Sequence, residues 1–389
     1  MNSRRNSVPG AERFRQQGVT MKANHSKQKN ALRVIAFLLV AALIYGALSR
    51  ILAVNDPTEQ QYIRSFHQEP KNSIDVMILG ASETFTDYCA PLAWQHAGFT
   101  SYPLAVSAAQ GTIYPSMLRE AARYQSPSVY IVEVNGFLYT ADEREQLADA
   151  AQHKWFDTLP LSAEKIAAIR ESIPAGERSA YYLPMLKYHE NWKGGALLRE
   201  SLQQQKAVRS VGYSYTKPFL SLSSFLIETD EIPVRQQELD AFNEQSLRTF
   251  CETAKALGLE NVLFARFPHR TVIENGDAVF AKLEAIVQAY GYDFVNFDTQ
   301  LDDIGLDPLM DFANAEHLNV LGAEKFTPYL ADYLTAHYNL RAAHSDAVTA
   351  EWNNCAAFTA QMLPVCEDNT RRYSSQKLNE FSPEFAAYR

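Results

Sequence analysis

Short apolar runs alternating with helix-length amphipathic segments constrain this fold more than any other feature. Residues 75–80 (DVMILG), 100–106 (TSYPLAV), 128–134 (SVYIVEV), 261–267 (NVLFARF) and 292–297 (YDFVNF) read as buried strands. Pro103 weakens the second of them. Between and after them, residues 90–98, 114–125, 236–258, 277–291 and 322–338 carry apolar side chains at helical spacing, several ending in glycine. Strand–helix alternation of this kind predicts an α/β domain of three α/β/α layers around a parallel sheet. Ligands of such sheets lie beyond the carboxyl ends of the strands.

Two stretches depart from the rhythm. Residues 137–235 form an insertion rich in aromatic and polar residues (SAYYLPMLKYHENWKGG at 179–195), expected to lie over the ligand edge and shape a pocket. Residues 339–389 form a C-terminal extension, expected to hold one more helix and an irregular end, to which the sequence assigns no role.

The N-terminus is of another kind. Residues 34–49 (VIAFLLVAALIYGALS) carry no charge, and 51–54 extend the run past Arg50. About 20 such residues span a bilayer core as a helix, so 31–54 is expected to be a transmembrane anchor, with 55–72 as a short stem. Residues 1–33 hold eight basic side chains against Glu12, a charge of +7, leaving −16 for the rest of a chain whose net charge is −9. By the positive-inside rule residues 1–30 form a basic, disordered cytoplasmic segment, and everything beyond the anchor is extracytoplasmic. The rival is a signal peptide cleaved after the small residues 47–49; the long basic region and long apolar stretch favour a retained anchor. The acidic remainder excludes nucleic-acid binding, which needs a basic face. Cys89, Cys251, Cys355 and Cys366 form no metal-binding spacing. In an oxidising compartment Cys355 and Cys366 are close enough in sequence to pair.

Two polar residues stand where the topology concentrates chemistry. Ser82 follows the first strand in ILGASETFTD (78–87), and His317 follows the last in DFANAEHLNVLGAEKFT (311–327). Though 235 residues apart, both project from one sheet edge, where a hydroxyl and an imidazole base make an acyl-transfer pair. Taken singly, Ser82 reads better as a helix N-cap, since TFTD (84–87) has capping-box spacing.

The stretches ILGAS, YCAPLAWQHAGFTSYPLAVS, PSVYIVEVNG and HLNVLGAEKFTPYLADYL, in that order over residues 73–338, resemble the SGNH/GDSL hydrolase superfamily. More narrowly they are similar to its bacterial membrane-anchored, DltD-like members of cell-envelope acyl transfer. The resemblance implies a flavodoxin-like domain with Ser82 as nucleophile, its amide in the oxyanion hole, and His317 as general base. Asn135, in EVNG, falls at the asparagine donor of that hole. The family's glycine donor falls in LAVSAAQG (104–111), where Ala105 takes its place, with Ser107, Gln110 and Gly111 as substitutes.

The acid three residues before the histidine is replaced by Asn314. An asparagine carbonyl accepts a hydrogen bond from imidazole but supplies no charge, and in a well-studied triad the Asp→Asn change costs about 10⁴ in turnover. Asp311 and Glu316 are the nearby carboxylates available instead. His189 and Trp192 recur in similar proteins as substrate-contact or packing residues. His269 and Arg270 follow a strand at the same edge and suit an anionic or sugar substrate.

The expectation is an extracytoplasmic serine esterase or O-acyltransferase acting on a cell-surface carbohydrate polymer, needing no cofactor or metal. A membrane-bound O-acyltransferase is the partner that the resemblance implies. The alternative is a catalytically weak relative that binds or scaffolds glycan, favoured by Asn314. A secreted lipase-like enzyme is a third, requiring cleavage near Ser49.

Overall fold

The computed structural model describes residues 10–222, 231–237, 239–341 and 343–389, with side chains from residue 27 onward. Five strands, β1 (Val76–Gly80), β2 (Ser101–Ala105), β3 (Val129–Glu133), β5 (Val262–Arg266) and β7 (Asp293–Asn296), form one sheet. Its order is β2-β1-β3-β5-β7 and every pairing is parallel. Two residues each of β4 (Val234–Arg235) and β6 (Val272–Ile273) make a separate ribbon. Strands β1, β2, β3 and β5 are buried throughout, which explains why they read as continuous apolar runs rather than alternating ones. Pro103 is tolerated because β2 is an edge strand.

Helices α4 (Ala90–Ala97), α14 (Val320–His337) and α15 (Asp346–Arg371) pack on one another, and α11 (Ala241–Ala256) packs on both α5 (Tyr114–Tyr124) and α12 (Gly276–Ala289). Short α3 (Glu83–Thr86) follows β1, and α13 (Leu301–Ile304) follows β7. The chain runs from β1 to β2 on one side and then crosses to β3 on the other. The crevice at that reversal is where doubly wound sheets bind ligands. The insertion contributes α6 (Ala141–Phe156), α7 (Ala163–Ser172), α8 (Arg178–Tyr182), α9 (Met185–Tyr188) and α10 (Gly195–Val211), and adds nothing to the main sheet.

Helix α1 spans Gly10–Leu52, and its window Lys27–Leu52 is long and apolar enough to cross a membrane, with none of it buried. The expected disorder of 1–30 is therefore corrected from Gly10 on; residues 1–9 lie outside the described residues. Alanine, arginine, glutamine and lysine there are good helix formers, and extending an existing helix costs far less than nucleating one.

The stem is also more than a tether. Helix α2 (Pro57–Phe66) is capped by Asp56, whose Oδ1 accepts the Glu59 N–H at 3.0 Å. It buries Tyr62, Ile63 and Phe66 in the domain.

The C-terminal extension joins the core through buried Trp352, Phe358 and Met362. All four cysteines are free and buried. The expected Cys355–Cys366 pairing is corrected: both lie on α15. Eleven residues at 1.5 Å per residue separate them by about 16 Å, whereas a disulfide needs Cα atoms within about 7 Å.

Candidate functional site: a serine–histidine row above a buried charge cluster

Gly80 ends β1 where the chain must turn tightly. A Cβ there would lie 2.5 Å from Thr84 Cγ2 and 2.7 Å from Glu133 Cβ, so only glycine lets α3 fold back against β3. Ser82 follows with helical backbone angles and makes no side-chain cap bond. The helix-cap alternative is set aside by that geometry. Its Oγ instead lies 2.8 Å from His317 Nε2.

His317 sits on a loop closed by the Phe312–Leu318 bridge and by the Ala313 N–H donating to the His317 carbonyl at 2.9 Å. The Leu318 N–H donates to Asp87 Oδ1 at 3.1 Å, tying that loop to the end of α3. Asn319 caps α14, its Oδ1 accepting from Leu321 and Gly322. Asn314 Oδ1 accepts the backbone N–H groups of Glu316 (2.8 Å) and His317 (3.1 Å), which identifies it as the oxygen. It also lies 3.0 Å from His317 Nδ1. Nδ1 must then carry the proton, leaving Nε2 to accept one from Ser82. The row Ser82–His317–Asn314 is thus geometrically complete, with an amide in the third place.

The two carboxylates offered as substitutes for the missing acid are held elsewhere. Asp311 Oδ2 accepts from Lys325 Nζ and from the Asp307 N–H, each at 2.6 Å. Glu316 pairs with Arg235.

The nearest carboxylate to the pair is instead Glu83, with Oε2 3.4 Å from Ser82 Oγ. It belongs to a buried ionic cluster that the sequence reading missed. The Asn135 amide donates to Glu83 Oε1 at 2.5 Å, while Asn135 Oδ1 accepts from Arg266 at 2.8 Å. Asn135 is therefore turned into the cluster, and its amide is not presented to an oxyanion. His269 Nε2 forms an ion pair with Glu83 at 3.7 Å. Arg266 Nε donates to Asp298 Oδ2 at 3.0 Å, and both Glu133 oxygens accept the Asn135 N–H.

The charges in this cluster balance. Burial alone would raise the Glu83 carboxyl, but the His269 contact and the charges on His317 and His269 outweigh it and bring it down to about 2. Burial and Arg266 would lower His269, yet Asp298 and Glu83 hold it up at about 9. Burial, then repulsion from Glu83, pushes Glu133 up to about 8. Asp298 is lowered: burial opposes ionisation, and Arg266 and His269 outweigh it. At neutral pH the two carboxylates Glu83 and Asp298 offset Arg266 and His269, with Glu133 protonated. His317 is lowered, first by burial; Glu83 is the largest charge acting on it and works in the opposite direction, against His269 and Lys377.

A cavity of about 520 Å³ opens over Ser82, His317 and Asn314. Its walls come from the start of α2 (Asp56, Thr58, Glu59), from Ser107, from Leu220 and Leu222 of the insertion, and from Lys377 and Asn379 of the extension. A second hollow of about 590 Å³ shares Lys377 and Asn379 with it. Ser107 points its N–H and hydroxyl at the Glu59 carboxylate, at 2.8 and 2.5 Å, and Lys154 joins them at 2.6 Å.

The other sequence candidates lie apart. Ala105 is buried at the end of β2. Gln110 donates to the Arg144 carbonyl, and the Gly111 N–H to that of Gly136. Buried His269 belongs to the cluster, and with Arg270 lines a separate hollow of about 560 Å³. His189 and Trp192 are exposed and do not line the Ser82 cavity. Among the described residues no group of His, Cys, Asp and Glu has metal-site geometry.

No protein-family model matches the chain, and no curated protein matches it in sequence.

Proposed function

We propose that this protein is a membrane-anchored serine acyl hydrolase or O-acyltransferase of SGNH type, acting on an acylated cell-envelope carbohydrate. The observation that carries this reading is the 2.8 Å contact between Ser82 Oγ and His317 Nε2, with Asn314 fixing the imidazole tautomer. The strand order is that of flavodoxin-like sheets, and the pair sits at its reversal point, in agreement with the sequence resemblance.

In the reaction, Ser82 Oγ attacks the ester carbonyl carbon as its proton passes to His317 Nε2. The tetrahedral intermediate collapses, and the leaving alkoxide takes that proton from the imidazolium. Water or a sugar hydroxyl then attacks the acyl-serine, giving its proton to His317, and collapse breaks the acyl–Oγ bond as Ser82 takes that proton back. Attack by water makes an esterase; attack by a sugar hydroxyl makes an acyltransferase. The Ser82 N–H, ahead of the first turn of α3 where amides have no intrahelical acceptor, is the oxyanion donor in this scheme. Glu83 supplies the negative charge that Asn314 lacks, stabilising the imidazolium through space from the nucleophile's side.

Two features favour a polymeric, membrane-proximal substrate. A second hollow that shares Lys377 and Asn379 lies beside the cavity over Ser82. The cavity's wall at Asp56 comes four residues after the end of α1, at most about 14 Å of extended chain. With the N-terminus in the cytoplasm, the cavity faces the extracytoplasmic surface of the cell membrane. There a membrane-bound O-acyltransferase is a fitting acyl donor.

A second reading, a glycan-binding or scaffolding subunit with weak catalysis, is favoured by one observation. The Ser107 and Asn135 donors are both occupied by internal carboxylates, Glu59 and Glu83. Labelling the full chain with a fluorophosphonate separates the two. The enzyme reading expects an adduct in wild type that Ser82→Ala abolishes, and equal labelling of both proteins would overturn it.

A further inference from the structure

The apolar stretch of α1 begins after Arg33, and about 20 residues from there bring the hydrocarbon layer to Ala53. The insertion closes over that end. The Asn191 amide donates to the Leu52 carbonyl at 2.7 Å and the Val54 carbonyl at 2.8 Å. Helix α9, the 3-10 turn His189–Lys193 and α10 all pack against α1. Within the stretch the half-buried positions are Tyr45, Ser49 and Leu52, which share one face of a helix. Leu43, Ile44, Leu48 and Ile51 remain exposed. The protein contact therefore descends to Tyr45, about 10 Å below Leu52 at 1.5 Å per residue. Whatever covers α1 at that depth stands at or below the headgroups.

The surface of the insertion fits such a place. Leu183, Leu186 and Trp192 are 45%, 56% and 67% exposed, in a segment that also carries Lys187 and Lys193. The Lys193 ammonium lies 5.8 Å from the Trp192 ring centroid. Tryptophan with an adjacent cation is the side-chain pattern of the water–hydrocarbon boundary. At 67% exposure Trp192 is not a packing residue, and the Ser82 cavity does not include it.

Charge agrees as well. Arg64, at the end of α2, is pushed down to about 10 by burial and by repulsion from Arg50 and Arg209. Its Nη1 is buried without a hydrogen-bond partner. Among the described residues no carboxylate pairs with these three arginines, which leaves lipid phosphate as a fitting counter-ion.

We propose that the segment 183–193 is a membrane foot, resting in the interfacial layer of the bilayer that α1 crosses, with Trp192, Leu183 and Leu186 at the headgroup–acyl boundary. It rests on α1 spanning the membrane and is independent of the serine chemistry. The foot gives the protein a second lipid contact beside α1, so the domain cannot swing freely. The cavity beside Asp56 is then held at one height above the membrane.

The full chain reconstituted in equimolar phosphatidylcholine–phosphatidylglycerol vesicles tests this, with plain or acyl-brominated phosphatidylcholine as quencher. Of four tryptophans, Trp155 and Trp352 are buried, and half-buried Trp94 donates its indole N–H to Asn353. The difference between wild type and Trp192→Phe isolates Trp192, whose exposure makes the substitution mild. The foot requires that brominated lipid remove most of the Trp192 emission. Equal emission in the two vesicle types, from protein that floats with them, would overturn it. Protein that does not float removes the spanning reading and the foot together, and leaves labelling at Ser82 to stand or fall alone.

Discussion

The two strand ends that meet at Ser82 keep their charge in opposite ways. The His317 loop holds a neutral amide at Asn314 against the imidazole, and its two carboxylates are bound to Lys325 and Arg235. Behind Ser82, five ionisable groups lie in and around the core: Glu83, Glu133, Arg266, His269 and Asp298. The contrast teaches that a neutral amide beside the imidazole does not mean a missing charge. The field at His317 comes from the Ser82 side, where Glu83 is the strongest charge acting on it.

The sharpest way to break that contrast is Glu83→Gln. Glu83 is the opposite charge that raises His317 most, so without it the His317 ring should titrate lower still. Fluorophosphonate labelling should slow about tenfold or more. NMR of the imidazole and labelling kinetics read the two effects, and an unmoved His317 would return the electrostatics to the loop. Asn314→Asp works from the other end. It should raise the His317 pKa, and it should restore labelling in the Glu83→Gln protein by more than it helps wild type. Equal gains in both backgrounds would show that the two positions do not share a task.

The stability of the cluster follows from its titrations. Glu83 is depressed from 4.5 to about 2 and His269 raised from 6.5 to about 9. Their mutual stabilisation is therefore complete between those ordinary values. It is lost below as pH falls through about 2, and above as pH rises through about 9. Glu133 runs the other way from a usual carboxylate: raised to about 8, it withdraws stability as pH climbs from 4.5 to 8. The thermal midpoint should thus fall from about pH 5 to pH 9, and Glu133→Gln should flatten the part below pH 8. A midpoint that rises over this range would contradict the assigned charges.

Smaller effects lie at the rim. Glu59→Ala frees the Ser107 donors and should quicken labelling by no more than a few-fold; slower labelling would make Glu59 a supporting residue instead. With every cysteine free and buried, a reductant should leave the melting temperature unchanged.

The sheet was legible because β1, β3 and β5 are apolar over most of their length, and Ser82 and His317 because each follows a strand at one edge. Asn314 was singled out only by the resemblance, which puts an acid three residues before the histidine. The cluster was not legible, because a single charged residue beside a strand resembles a solvated one. A signal was nevertheless present: Glu133 in VYIVEV and Arg266 in LFARF interrupt apolar runs with opposite charges on strands that pair side by side. Glu59, Lys377 and Asn379 reach the cavity only through tertiary packing of α2 and the extension, so no local pattern marks them. His189 and Trp192 were read as substrate-contact or packing residues, yet neighbouring Asn191 binds the end of α1 and the pair is exposed there; the reason is packing of the insertion on α1, which spacing alone does not reveal.

The Ser82–His317 pair is tested most directly by the pH dependence of fluorophosphonate attachment, with the adduct located by peptide mass. Because His317 is lowered from 6.5 and must be neutral to accept the Ser82 proton, the expected result is an adduct on Ser82. Its rate of formation should climb to a plateau through a midpoint below 6.5. An adduct elsewhere, or a rate on Ser82 that ignores pH across that range, would contradict it.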